Sequence, residues 1–222
     1  MTAEPRNIFV VDDDPGVLKA LSRVLREAGW RVETFESAEA FLARHDQGAE
    51  GCLVLDVTMP GLDGLALQRR LAEAGQRLPI VFVTGHGDIP MSVQAIKAGA
   101  ADFLTKPVQA RELLAAVRSA IEQYESAREA RAETADLRRR LDSLTPRERE
   151  VLVALVAGRL NKQIAADLGV VEQTVKYHRA RVMERMQART VAELMHFAAR
   201  LGVAGDPPQT PAIEFSRKKP RT

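Results

Sequence analysis

Cys52-Leu53-Val54-Leu55 is apolar at every position and runs straight into Asp56. A strand with one face in water alternates polar and apolar residues, so an unbroken apolar run describes a strand covered on both faces. Comparable short runs fall at residues 8–11, 32–35, 80–84 and 101–104, each separated from the next by a stretch with helical spacing. Strands alternating with helices imply a parallel sheet, and right-handed crossovers then restrict the topology to a doubly wound α/β fold. For five strands the common order is 2-1-3-4-5.

The remainder of the chain does not continue this pattern. With 222 residues, 45% hydrophobic and 28% charged, it is longer than one compact unit needs, and two modest domains are expected. No apolar run approaches the roughly 20 residues of a membrane span, and residues 1–7 hold Glu4, Pro5 and Arg6 in place of a signal-peptide core, so a soluble, cytoplasmic protein without a membrane partner is expected. Cys52 is the single cysteine and reads as a small buried hydrophobe. The net charge of +2 hides a division: residues 1–124 hold 17 acidic and 13 basic side chains, residues 145–222 hold 8 and 14. A basic module suggests a polyanionic partner.

After Pro107, Leu113, Leu114, Val117, Ile121 and Tyr124 keep helical spacing, and a charged stretch continues through Leu137, Leu141 and Leu144. This reads as a long helix leading out of the first domain. Thr145-Pro146-Arg147-Glu148 is a helix start with a capping box, and Thr190 to Glu193 repeats the box. The text between them reads as helices near 148–156, 162–168 and 172–186. Four domain-level segments result: 1–124, a linker at 125–144, a small helical module at 145–204, and a Pro-rich basic tail, expected to be disordered, at 205–222.

Asp12, Asp13 and Asp14 follow the first expected strand and Asp56 the third, so a 2-1-3-4-5 sheet gathers them at its switch point, where such sheets bind ligands. Clustered carboxylates repel unless a cation joins them, and an all-oxygen site with no His or Cys nearby in sequence suits Mg²⁺. Asp14, before Pro15, reads more simply as a helix cap. Thr84 and Lys106 end the fourth and fifth strands, adding a hydroxyl and an ammonium to the same edge. A metal, a hydroxyl and a lysine surround a phosphoryl group well, and an Asp carboxylate can itself become an aspartyl phosphate.

These residues resemble the receiver domain of two-component response regulators, through VVDDDP, LDVTMPGLDG, VTGHGD and KAGAADFLTKP in order between Asn7 and Tyr124. The resemblance implies that Asp56 is the phosphoacceptor, that Asp12, Asp13, Asp56 and the backbone carbonyl of Thr58 hold Mg²⁺, and that Thr84 and Lys106 bind the phosphoryl group. It makes Phe103 the switch aromatic, places Val93 and Lys97 on a dimer surface, and implies a cis Lys106-Pro107 bond. His86, two residues beyond Thr84, either orients hydrolytic water or serves its loop alone.

In the basic module, a helix, the short Gly169-Val170-Val171 connection and a second helix follow the plan of a helix-turn-helix. Projecting residues 172–186 at 3.6 per turn puts Val175, Val182 and Met186 on one stripe and Lys176, Tyr177, Ala180 and Arg181 opposite, facing either DNA or water. LTPREREVL, GRLNKQIAADLGV and TVKYHRARVMERM resemble the LuxR-type DNA-binding domain, and with the receiver they resemble the FixJ and NarL class, nearer FixJ through TGHGDIPMSV. That resemblance sets Lys176, Tyr177 and Ala180 toward bases, and Thr174, His178 and Arg179 near phosphates. Val171 stands where the family usually offers a Ser-type cap.

The expectation is a phosphorylation-controlled transcription regulator, with a sensor histidine kinase, promoter DNA, a second copy of itself and RNA polymerase as partners, and no enzyme activity beyond self-phosphorylation and self-dephosphorylation at Asp56. Two rivals stand beside it. One is a haloacid-dehalogenase-type phosphatase, suggested by Leu55-Asp56-Val57-Thr58, although that class needs an acid where Thr58 stands. The other is a constitutive DNA-binding protein with a vestigial receiver. Trp30 and Met91 read as packing residues, His45 and His196 as surface histidines.

Overall fold

The computed structural model describes residues 6–44, 50–85 and 89–203, which leaves His45, His86 and the expected tail outside the described residues. Five parallel strands, β1 (Asn7–Val11), β2 (Arg31–Phe35), β3 (Gly51–Asp56), β4 (Ile80–Thr84) and β5 (Asp102–Thr105), pair in the order β2-β1-β3-β4-β5. The doubly wound expectation holds, with β5 one residue later than its apolar pattern suggested.

Alternate residues of each strand point to opposite faces, which explains why both must be apolar. Ile8, Val10, Cys52, Val54, Val81 and Val83 lie under Leu18, Leu21 and Leu25 of α1 (Pro15–Glu27) and Leu113, Val117 and Ile121 of α5 (Ala110–Asp142). Phe9, Val11, Leu53, Leu55 and Phe82 lie under Phe41 of α2 (Ala38–Arg44), Leu67 and Leu71 of α3 (Gly64–Glu73) and Ala95 of α4 (Ile89–Lys97). All six residues of β3 are buried. Burial pushes the Cys52 thiol up to about 12, so it stays protonated and inert. Trp30 and Met91 pack at the margins of these two layers, as their apolar character implied.

The chain divides into two compact units between residues 128 and 129, within α5. In the second unit α6 (Pro146–Val156), α7 (Asn161–Leu168), α8 (Glu172–Met186) and α9 (Val191–Leu201) enclose Val151, Leu152, Leu155, Ile164, Val175, Val182, Met186 and Leu194. Leu144 is buried in the same core, and Leu137 is buried on α5. The Thr145–Glu148 box closes in both directions: the Glu148 N–H donates to Thr145 Oγ1 at 3.3 Å and the Thr145 N–H to Glu148 Oε2 at 2.8 Å. The second box is only half formed. The Glu193 N–H donates to Thr190 Oγ1, but the Glu193 carboxylate reaches one residue further back and accepts the Arg189 N–H at 2.8 Å. Among the described residues no helix is long and apolar enough to cross a membrane.

Candidate phosphoryl site and candidate nucleic-acid interface

Asp12 leaves the end of β1, Asp56 ends β3, Thr84 ends β4 and Lys106 follows β5, so four parallel strands deliver their last residues to one edge. The Asp14 side chain takes no part. Its Oδ1 caps α1, accepting the Gly16 N–H at 2.7 Å, as the following proline suggested. Lys106 Nζ donates to Asp12 Oδ2 at 2.6 Å and to Asp56 Oδ2 at 2.8 Å. The remaining oxygens are oriented by backbone: Asp12 Oδ1 accepts the Asp14 N–H, and Asp56 Oδ1 accepts the Thr58 N–H at 3.2 Å.

Asp12, Asp56 and Thr84 are buried, whereas Asp13 and Thr58 are exposed. Burial pushes the Asp12 carboxyl above its ordinary range, and the bond from Lys106 only partly offsets this. Burial pulls the Lys106 ammonium down, yet the two carboxylates together outweigh it and hold Lys106 above its ordinary value. One oxygen each from Asp12, Asp13 and Asp56 lies within 4.8 Å of the others. Three carboxylates at that spacing, one of them open to solvent, fit a hard divalent cation that keeps water in its shell.

Two contributors escaped the sequence reading. A Cβ on Gly64 would stand 2.2 Å from the Asp56 carbonyl oxygen, so only glycine lets α3 begin against the end of β3, where the Gly64 N–H donates to the Val57 carbonyl at 2.9 Å. The LDG triplet was its signal. Glu39 Oε1, on α2, accepts the Leu62 N–H at 2.9 Å and ties the loop after β3 across 23 positions of sequence. Hydrogen bonds from backbone N–H groups, its own and that of Leu62, hold the Glu39 carboxyl below its usual value. Nothing local in the sequence marks that pairing.

Phe103 is half-buried on β5, its ring centroid 6.2 Å from that of Phe82. Val93 and Ile96 are 43% and 46% exposed on α4, and Lys97 is exposed beside them. The Lys106-Pro107 bond is cis.

In the second unit, α7 ends in left-handed Gly169 at φ 64° and α8 begins after Val171, which makes no side-chain cap. Val175, Val182 and Met186 are fully buried, while Lys176, Tyr177 and Ala180 are exposed on the other side. Arg181, expected with that exposed set, is half-buried and donates to Glu184 at 2.6 Å, because the 100° step carries it toward the flank of the core stripe. Thr174, His178 and Arg179 are half-buried; Arg179 donates to Asn161 Oδ1 at 3.3 Å. Lys176 pairs with Glu172 at 3.3 Å. Such exposed pairs are worth about 0–1 kcal/mol and yield to a phosphate.

A carboxylate pocket closed by a lysine at a sheet's switch point, carried with a separate helical reader, defines the class of signalling proteins that join a receiver to a DNA-binding output module. The chain belongs to the response regulators with a LuxR-type output: residues 8–118 match the response regulator receiver domain and residues 142–198 the bacterial regulatory proteins of the luxR family. It is similar to the response regulator protein TmoT of Ectopseudomonas mendocina, 47% identical over 87% of this chain and 88% of that protein. The transcriptional regulatory protein FixJ of Bradyrhizobium diazoefficiens is 42% identical over 90% and 98%. Among solved structures, the response regulator StyR superposes with a TM-score of 0.78 at 44% identity, covering 88% of this chain and 99% of that one. The protein is therefore a phosphorylation-dependent transcription regulator. The phosphatase reading, drawn from the four residues around Asp56, is overturned by the receiver match and by the attached DNA-binding domain.

Proposed function

We propose that Asp56 accepts a phosphoryl group from a sensor histidine kinase in the cytoplasm. The Lys106 ammonium bridging the Asp12 and Asp56 carboxylates carries this reading, because it holds a cation against the acceptor where charge must be neutralised. An Asp56 oxygen attacks phosphorus, the P–N bond of the donor phosphohistidine breaks, and the imidazole leaves with the electron pair and takes up a proton. Asp12, Asp13, Asp56 and the Thr58 carbonyl would hold Mg²⁺, which supplies charge neutralisation for the phosphoryl oxygens. Lys106 exchanges a carboxylate for a phosphoryl oxygen, and Thr84 donates its hydroxyl to another.

That exchange draws Thr84 toward the phosphoryl group and lets Phe103 follow, biasing the α4 surface at Val93 and Lys97 toward pairing with a second copy. Two basic modules then engage promoter DNA, with Lys176 and Tyr177 toward bases, Thr174, His178 and Arg179 toward phosphates, Arg181 at the edge, and RNA polymerase as the downstream partner. Incubation with a small phosphodonor and Mg²⁺ tests the acceptor. Labelling is expected on Asp56 alone and lost in Asp56→Asn or with the metal chelated; equal labelling of that variant would overturn the assignment.

A further inference from the structure

The recognition helix α8 has no side-chain cap at its start, so what fixes its direction must lie elsewhere. Its other end is held by the helix that precedes the DNA-binding domain. Arg140, in the last turn of α5, donates through Nη1 to the carbonyl of Met186, the last residue of α8, at 3.3 Å. In the opposite sense Arg185, in the last turn of α8, donates to the carbonyl of Ser143, just past the end of α5. Each arginine thus reaches the terminal carbonyls of the other helix, where unsatisfied acceptors and the negative end of the helix dipole favour a cation.

The arrangement is anchored on both sides. Arg140 Nη2 also pairs with Asp136 at 2.5 Å, and Arg185 pairs with the buried Glu148 at 3.4 Å. Leu137 and Leu144, either side of Arg140, are each 5% exposed, and Leu144 lies in the same core as Val182 and Met186. Arg140 Nε is buried and makes no hydrogen bond, a cost carried while the guanidinium stays directed at Met186 and Asp136. The LuxR-type match begins only at residue 142, after both Leu137 and Arg140.

We propose that Arg140 is a positioning residue for DNA recognition, which fixes the C-terminal end of α8 to the end of α5 and makes the last turns of α5 a working part of the DNA reader. Most of its guanidinium is committed inside the module, so it acts through the direction of α8 and not by touching DNA. The idea rests on α8 being the reading helix, and the test separates the two.

The full-length chain, phosphorylated with a small phosphodonor, is used to enrich a duplex from a random-sequence pool. Affinities are then measured for that duplex and a scrambled one across a salt series. Arg140→Met keeps the aliphatic stem and removes the donors. It should weaken the enriched duplex about tenfold, as expected for loss of a charge-assisted bond, and the scrambled duplex less than about twofold, with an unchanged salt slope and unchanged Asp56 labelling. Arg140→Lys, which restores one donor, should recover part of the discrimination. Equal weakening of both duplexes with a shallower salt slope would make Arg140 a phosphate contact and overturn the proposal, as would unaltered discrimination. If Arg140→Met melts below the assay temperature, the same comparison on Arg185→Lys, which gives up the reach to Ser143 but keeps a charge beside Glu148, decides in its place. A parent chain that enriches no duplex would remove the reading of α8, and the clasp with it.

Discussion

Asp12 shows what it costs to bury a carboxylate at the end of a strand. Its carboxylate is buried, and burial raises its proton affinity despite the bond from Lys106. A carboxyl whose folded pKa stands above its unfolded value contributes stability below the unfolded value of 3.8, and that contribution is lost as pH rises through the raised folded value. At neutral pH without metal the ionised Asp12 is therefore a cost. Asp12→Asn should raise the unfolding midpoint of the receiver in chelator at pH 7 and flatten its pH dependence above pH 4. It should also lose most of the midpoint rise that Mg²⁺ gives the parent. A calorimetric titration over pH and Mg²⁺ measures all three, and an equal Mg²⁺ response in the variant would remove Asp12 from the metal site. Asp12, Asp56, Thr84 and Lys106 were legible because each ends an apolar run, which makes position in the strand equivalent to position at the site. Glu39 and Gly64 were not so easily read. The bond from Leu62 to Glu39 joins residues 23 apart, and Gly64 matters for a Cβ that is absent, a clash visible only once α3 is seated on β3.

The helices differ in how their ends are secured, and α8 is the instructive case. α6 begins with a closed capping box, α1 and α9 with a side-chain cap, whereas α8 starts at an uncapped Val171 that is 68% exposed. Val171 has φ −79° and ψ 151°, the extended geometry a capping serine adopts, so the backbone is already in place for a hydroxyl. Val171→Ser should stabilise the second unit by about 1 kcal/mol, a rise of several degrees in its unfolding midpoint. Differential scanning calorimetry would show it, and a fall would mean that the valine methyls are worth more where they stand. Helical spacing made the buried stripe of α8 readable, since Val175, Val182 and Met186 recur at the period of one face. The partners of its far end were not readable. Arg140 and Met186 are 46 residues apart, and a charged run between two domains has the composition of a plain solvated helix whether or not one arginine is committed.

At the scale of the whole chain, an acidic receiver and a basic reader must be coupled by something other than their own folds, since each unit has a separate core. A single reader of this size gains most of its affinity from phosphate contacts, which discriminate poorly between sequences. Joining two readers makes the second contact intramolecular and can raise affinity by about 10²–10⁴ with no new contact, provided the joint forms only on demand. The α4 face supplies a candidate joint, with Val93 and Ile96 held outward and Ala95 fully buried behind them. Val93→Asp puts a charge into that face without touching the pocket or the core. It should accept phosphoryl label on Asp56 at the parent's rate, remain a monomer in sedimentation when the parent dimerises, and bind a two-half-site duplex about 10²-fold more weakly than the phosphorylated parent. Binding to a single half-site should be unchanged. Because phosphate contacts weaken steeply with salt, both measurements belong at one fixed ionic strength. A phosphorylated variant that still dimerises, or a parent that gains nothing from a second half-site, would move the joint away from α4 and require the signal to reach the reader along α5 within a single chain.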